Sequence, residues 1–338
     1  MKIFNNYSLK KLNTFGIEAS AKVFVNVSTE DEMFEVLSAK EFKPYPKIVL
    51  GGGSNVLLTK DFNGLVIKNS IPGIAIIRED KKSVLIEAGA GVIWNDLVSY
   101  CVERNLGGIE NLVLIPGTIG AAPIQNIGAY GQELSETFYR LRGFYIDTAM
   151  PAFFYKNECR FGYRDSIFKR ELRNKFAIIK FQIRLNKNPV VKIDYGNVKE
   201  ELEKTGKSDF TIRDVSEAIA GIRREKLPDP AVIGNAGSFF KNPEIHKESY
   251  DKLKEINPDL KGYPLENGKV KIPAAWLIEK AGFKGVRKGN TGTHARQPLV
   301  IINHGNASGE EILHFAKEIK QSVYEKFDVM LEEEVNIL

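Results

Sequence analysis

The residues best suited to chemistry fall in four short stretches. Gly51-Gly52-Gly53-Ser54-Asn55 follows the apolar run Ile48-Val49-Leu50. Glycine reaches positive φ and lets a ligand approach the main chain, so successive N–H groups here can form a concave nest for phosphate, with Ser54 and Asn55 adding side-chain donors. The same triplet is equally well a tight turn between two strands. A second glycine-rich stretch carries Pro116, Gly117, Gly120, Ala121, Ala122, Gln125, Asn126, Gly128, Tyr130 and Gly131, and no charged residue lies between Glu110 and Glu133. Two small, uncharged stretches can wrap a large flat cofactor through main-chain hydrogen bonds; the plainer alternative is a sharply turning buried loop. In Arg160-Phe161-Gly162-Tyr163-Arg164-Asp165-Ser166, Arg164 can clamp a carboxylate and Asp165 can hold its guanidinium, although such a pattern is more commonly a surface ion pair. Ser238, in Gly234-Asn235-Ala236-Gly237-Ser238-Phe239-Phe240-Lys241-Asn242-Pro243, presents a hydroxyl either to a closed site or in a turn entering a strand. It lacks a Gly-x-Ser-x-Gly elbow, which disfavours a hydrolase nucleophile. Glu332-Glu333-Glu334 reads by default as a solvated charge run.

Several classes of protein are excluded. Gly51-x-Gly53 continues to Val56 and Gly89-x-Gly91 to Trp94, so the dinucleotide fingerprint is missing, as is any Gly-x-x-x-x-Gly-Lys-Ser/Thr loop; a nucleotide site must be of another kind. Cys101 and Cys159 form no Cys-x-x-Cys, and His246, His294, His304 and His314 form no metal-spaced pair, so neither a disulfide framework nor a metal site is expected. A reducing cytoplasm fits, and the first residues lack the apolar core of a signal peptide. With 338 residues, 43% hydrophobic and 27% charged, the chain is a soluble globular protein of two or three domains. A net charge of +5, with no basic block denser than Arg223-Arg224 and Lys226, falls short of a nucleic-acid footprint. The prolines and glycines of 110–133 argue against a membrane span.

The elements that must position these groups are mostly strands in the first two thirds: Lys47 to Leu50, Leu65 to Ile67, Ile74 to Ile77, Val84 to Ile86, Leu141 to Ile146 and Ala177 to Leu185. Helices are predicted over Ser28 to Phe42, with Phe34 and Leu37 on one side, and over Asn95 to Leu106. Further helices are predicted over Thr211 to Arg224, from Pro273 to Ala281, and from a Ser308/Glu311 cap to Phe327, followed by a closing strand from Val329 to Leu338. The class is α+β, with a domain boundary between about Asn186 and Ser208.

Seven motifs in order add a resemblance. Asn13-Thr14-Phe15-Gly16, Gly51-x-Gly53-Ser54-Asn55-Val56-Leu57, Ile115-Pro116-Gly117, Pro123 to Gly131, Phe161 to Ser166, Lys226-Leu227-Pro228-Asp229-Pro230 and Gly234 to Pro243 span nearly the whole chain. Together they are similar to the UDP-N-acetylenolpyruvoylglucosamine reductase (UDP-N-acetylmuramate dehydrogenase) family of peptidoglycan synthesis, and hence of cell-wall biogenesis, cell shape and division. The resemblance implies a two-subdomain FAD-binding fold of the vanillyl-alcohol-oxidase type plus a C-terminal α+β substrate domain. The implied bounds are 1–70 and 71–205 for the FAD-binding subdomains and 206–327 for the substrate domain, with 328–338 returning near the active site.

It further implies non-covalently bound FAD, held by residues 51–55 and the positions already named between Pro116 and Gly131, with NADPH as co-substrate in a ping-pong scheme. Hydride reaches the β carbon of an enolpyruvyl sugar nucleotide. Arg164 and Glu334 stabilise the resulting enolate, Glu334 doing so only when protonated or hydrogen-bonded, and Ser238 protonates the α carbon. Tyr195, Lys226, Asn242 and Gln297 are implied for the uridine diphosphate; Tyr195 lies in Lys192-Ile193-Asp194-Tyr195-Gly196, which resembles the substrate loop of the family's longer form. Where the family often continues with Val-Arg, Val335 is followed here by Asn336, so Glu332 and Glu333 stay open as alternatives to Glu334. The expected partners are the UDP-sugar and NADPH, with a monomer expected. Two rivals are a flavin-dependent oxidase of the same fold, whose relatives often tether flavin through His or Cys, absent from both glycine-rich stretches, and a non-catalytic nucleotide-binding relative.

Overall fold

Period-2 alternation and continuous apolar runs build two kinds of strand. The computed structural model describes residues 1–338, which divide into two compact units: Met1–Tyr7, Ala21–Gly53 and Phe62–Glu225 form one, and Ser8–Ser20, Ser54–Asp61 and Lys226–Leu338 the other. In the first unit, strands run in the order Ile3–Ser8, Ser20–Val27, Phe62–Asn69, Lys47–Leu50, and Phe62–Asn69 pairs in parallel on both sides. Leu65, Val66 and Ile67 are consecutive and all buried, as parallel strands covered on both faces require. Helix Glu30–Ser38 packs there through Met33, Val36 and Leu37. Its N-terminus is tied by Thr29 Oγ1, which accepts from Glu32 N at 3.1 Å, while the Glu32 carboxylate takes Ser28 N at 2.7 Å. The helix stops at Ser38, short of the expected Phe42, because Ala39 is extended (ψ 124°), and Lys40–Phe42 forms a separate 3-10 turn. Phe34 is exposed rather than turned to the core with Leu37.

A second sheet of the same unit is antiparallel throughout, in the order Pro151–Tyr155, Phe138–Tyr145, Phe176–Asn186, Ser83–Gly89, Ile74–Glu79. Along Phe176–Asn186, Phe181, Ile183 and Leu185 enter a core with Trp94, Leu97 and Ile219, while Lys180 and Gln182 alternate with them to meet the Glu87 carboxylate at 2.9 and 2.8 Å. Helix Trp94–Glu103 is shorter than expected, and helix Ile212–Lys226 buries Val215, Ile219 and Ile222 as its spacing requires. The uncharged stretch after Glu110 is mostly irregular chain, with two 3-10 turns, Glu110–Leu112 and Ile119–Ala121, and a short antiparallel pair of Gly128–Ala129 with Gln132–Glu133. No helix is long and apolar enough to cross a membrane.

The second unit carries an antiparallel sheet in the order Gly234–Ser238, Val300–Asn303, Thr291–Thr293, Arg287–Lys288. Helix Gly309–Phe327 lies against its middle strands, burying Ile312, Phe315, Ala316, Ile319 and Val323, and Ser308 with Glu311 forms the expected reciprocal cap. Gly309 must be glycine, since a Cβ there would sit 1.8 Å from Leu58 O. The closing segment is not the single strand expected from Val329. Lys241 N donates to Glu332 O (2.9 Å) and Glu334 N to Phe239 O (2.8 Å), after which Asn336–Ile337 changes partner and pairs in parallel with Val56–Leu57. Only those last two residues are regular strand.

Candidate active site

In the first unit the two glycine-rich stretches touch. A Cβ on Gly51 would lie 2.3 Å from Thr118 Oγ1, and one on Gly52 would lie 3.0 Å from Gly117 Cα. Gly53 (φ 64°) and Gly117 (φ 116°) occupy left-handed backbone, which glycine adopts without cost. The second stretch is pinned from beneath: Trp94 N donates to Gly117 O (3.0 Å), Ile119 N to Val92 O (2.9 Å) and Gly120 N to Ala90 O (2.9 Å). Pro116 precedes this pinned turn, Ala121 N closes it on Thr118 O (3.0 Å), and Ala122 is buried behind it. Lys68, on the strand that follows the loop, donates its ammonium to Gly51 O, and burial pulls its pKa down. The buried Thr118 hydroxyl, on a residue 6% exposed, has no hydrogen-bond partner.

A second cluster joins two motifs by bonds to alternate carbonyls and side chains. Ser166 Oγ donates to Ile124 O (2.6 Å), Asn126 Nδ2 to Gly162 O (3.0 Å), and the Arg164 guanidinium to Gly128 O. Arg164 sits in left-handed backbone (φ 52°) within a turn closed by Gly162 and Asp165, a strained geometry for a non-glycine residue of the kind that collects at functional sites. Asp165 pairs with Arg170 at 3.3 Å. Asn126 is fully occupied, since Nδ2 also donates to Glu133 (2.7 Å) and Oδ1 accepts from Ser135 N (2.9 Å); what it can offer a ligand is main chain. Gln125 lies in the turn just before it. The Tyr130 and Tyr195 rings meet edge-on, with centroids 6.5 Å apart, and a Cβ on Gly131 (φ 77°) would lie 3.3 Å from Tyr195 Cβ. Asn111 ties this loop pair by donating to Tyr130 O and Lys192 O, both at 2.9 Å.

Arg223 belongs to this cluster and was not expected. Its side chain donates to Leu114 O (3.2 Å), its Nε is buried without a partner, and no carboxylate pairs with it. Burial lowers its pKa, with the nearby Arg164 acting the same way and Tyr130 opposing; burial in turn raises that of Tyr130. A guanidinium with a buried nitrogen and no counter-charge is costly unless an anion arrives. The signal was available in the sequence: Arg223 lies four residues after Ile219, on the buried face of its helix.

In the second unit, Ser238 ends the strand Gly234–Ser238, opposite Val300. The pairing slips between Asn235 and Ser238, with Gly237 left-handed (φ 69°) and its N–H taken by Asn235 Oδ1 at 2.9 Å; bulges of this kind re-aim a side chain. The Asn13 to Gly16 motif braces the strand, Thr14 O accepting from Asn235 N (3.0 Å) and Phe15 O from Asn303 Nδ2 (2.9 Å). A Cβ at Gly234 would lie 2.3 Å from that Phe15 oxygen. Glu334 comes to the same place through its N–H on Phe239 O, and the Asn55 amide donates to Glu334 O at 3.3 Å. Of the other glutamates, Glu333 is held by Lys320 at 2.8 Å and Glu332 is largely exposed beside Lys241. Ser54 begins the segment leading to Val56–Leu57. Asn242 Oδ1 accepts from Ala274 N (2.9 Å) at the start of helix Ala274–Lys280, Gln297 O accepts from Val300 N (3.0 Å), and Lys226 ends helix Ile212–Lys226.

The first unit fits FAD on two counts: adjoining turns at left-handed Gly53 and Gly117 whose bare main chain a ligand can approach, and a buried hydroxyl left without a partner beside them. Fold and site together define a flavin-binding oxidoreductase with an α+β FAD-binding fold and a separate C-terminal domain. Comparison with known proteins agrees. An FAD-binding-domain family model matches residues 21–144, and the model for the UDP-N-acetylenolpyruvoylglucosamine reductase C-terminal domain matches 229–338. Curated UDP-N-acetylenolpyruvoylglucosamine reductases are 46% identical in Flavobacterium johnsoniae, covering 100% of both chains, and 45% identical in Pseudomonas aeruginosa, covering 100% of this chain and 99% of that one. The solved reductase from Thermus caldophilus has the same fold, with a TM-score of 0.66 over 99% of this chain and 98% of the other at 24% identity. The chain belongs to the UDP-N-acetylenolpyruvoylglucosamine reductase family.

Proposed function

We propose that the chain reduces the enolpyruvyl group of UDP-N-acetylglucosamine enolpyruvate to the lactyl ether, giving UDP-N-acetylmuramate for peptidoglycan synthesis. The observation that carries this beyond family membership is the half-buried Arg223, its Nε buried and without a counter-ion, beside Arg164 and Tyr130. Such a pair of guanidiniums suits an anionic substrate group. FAD held by the two glycine-rich stretches would supply the two-electron, hydride-carrying chemistry that links NADPH to the β carbon of the double bond. Negative charge then builds on the substrate carboxylate, where preorganised Arg164 stabilises it most strongly if water is excluded. Glu334 assists from a main chain fixed by Phe239 and Asn55, and Ser238 gives its proton to the α carbon. Glu334 is preferred over its neighbours because it directly precedes Val335, as in the family motif, and its N–H is held on Phe239 O next to Ser238. Tyr195, Lys226, Asn242 and Gln297 hold the uridine diphosphate. Two unpaired, buried cysteines suit a reducing cytoplasm for this activity.

The test is an anaerobic absorbance titration of the purified protein. A bound-flavin spectrum that bleaches with NADPH and returns with the enolpyruvyl sugar nucleotide establishes both half-reactions. Failure of colour to return with the sugar nucleotide overturns the substrate assignment.

A further inference from the structure

We infer that the Thr118 hydroxyl is a hydrogen-bond donor to the diphosphate of FAD, an inference that rests on the flavin-binding reading above. A hydroxyl buried without a partner forfeits a bond that solvent would supply, and native structures seldom leave this uncompensated. Thr118 is 6% exposed, and its Oγ1 is buried and unpartnered. It is not idle packing in a loose region, because the main chain on either side is fixed by Trp94 N on Gly117 O and Ile119 N on Val92 O. Its oxygen lies against Gly51, 2.3 Å from where a Cβ would be, at the edge of the Gly51–Gly53 turn.

The character of that turn selects the phosphate end of the cofactor over the flavin ring. Gly53 is left-handed, as a main-chain nest for anions requires, and Lys68 reaches the same residue from its carbonyl side. The structure gives Lys68 no carboxylate partner, and burial disfavours its charge, so an anion at Gly51 would compensate it. Thr118 and Lys68 thus bracket Gly51, one offering a hydroxyl and the other a cation. A diphosphate satisfies both, whereas an uncharged ring edge satisfies only the hydroxyl.

The test uses the full-length protein stripped of flavin, with FAD affinity read by quenching of flavin fluorescence and the bound cofactor read by phosphorus NMR. Thr118→Val keeps the shape and removes the donor; Thr118→Ser keeps the donor and removes the methyl. A bond to a charged acceptor predicts binding about 10- to 100-fold weaker for the valine variant and within about twofold of wild type for serine. One phosphorus resonance of bound FAD should shift in the valine variant while the flavin absorption bands stay in place. Equal affinity for valine and wild type, equal weakening by valine and serine, or displaced flavin bands with unmoved phosphorus signals would each overturn the inference. Wild-type protein that binds no FAD would instead defeat the flavin-binding reading itself, so the two failures are told apart.

Discussion

Replacing Gly51 by alanine tests the contact between the glycine-rich stretches directly. The new Cβ would lie 2.3 Å from Thr118 Oγ1, with the next neighbours, Ala121 Cβ and Thr118 Cβ, at an ordinary 3.6 Å. One oxygen atom therefore accounts for the whole clash, and it must retreat by roughly 1 Å to reach normal contact. Thr118 is a β-branched residue on a pinned main chain, so the retreat means either an off-rotamer side chain or a displaced loop. Overpacking of this kind costs about 1–3 kcal/mol. In a Thr118→Ala background the offending oxygen is gone, and the same substitution should cost less than about 0.5 kcal/mol, the coupling being most of the single-mutant penalty. Trp94 and Trp276 are the two tryptophans, and Trp94 is buried beside the loop with Nε1 on Leu112 O at 2.9 Å. In a Trp276→Phe background, urea unfolding followed by tryptophan fluorescence therefore reports the first unit alone. Equal destabilisation by Gly51→Ala with and without the threonine hydroxyl would refute the reasoning and locate the glycine requirement in backbone conformation instead.

Ser238→Ala should leave bleaching by NADPH within a few-fold of wild type while slowing return of the flavin spectrum by on the order of 10²–10⁴; loss of both half-reactions would contradict a proton-donor role. Arg223→Met removes a half-buried charge that has no carboxylate partner, so the flavin-free protein should keep or raise its urea midpoint, while KM for the sugar nucleotide rises about tenfold or more. A large stability loss with KM unchanged would make Arg223 structural. Burial raises the thiols of Cys101 and Cys159 to about 12, so neither should react with a thiol reagent at pH 8 in the folded protein, and both should react in urea.

Much of the fold could be read from local pattern. The β-type run Ala177 to Leu185 located Phe176–Asn186, and the Ser308/Glu311 pair located the start of Gly309–Phe327, because both signals act within a few residues. The misplacements arise where distant chain decides. The segment after Val329 has strand composition, yet it divides its bonds between Phe239–Lys241 and Asn55–Leu57, partners that its own residues do not specify. In the site, the motifs marked Arg164, Gly51 and Ser238, but Asp165 bonds to Arg170 and Asn126 spends its side chain on Glu133, Gly162 and Ser135. Helical spacing places Arg223 beside Ile219, but what distinguishes both it and Thr118 is a missing partner, which only the assembled structure reveals.

The division of the second unit into Ser8–Ser20, Ser54–Asp61 and Lys226–Leu338 bears on how the protein is made. Leu9, Phe15, Ile17 and Ala19 are almost wholly buried in the finished protein, and Phe15 O waits for Asn303. About two hundred residues separate the end of the first segment from the start of the third. At ribosomal rates of roughly 5–20 residues per second, that early apolar segment stays without its partners for roughly 10–40 s after it emerges. The first unit, by contrast, has its whole sequence available before Lys226 is translated. Nascent chains should therefore carry a folded first unit while the Ser8–Ser20 segment is still open to chaperones, and to aggregation when chaperones are scarce.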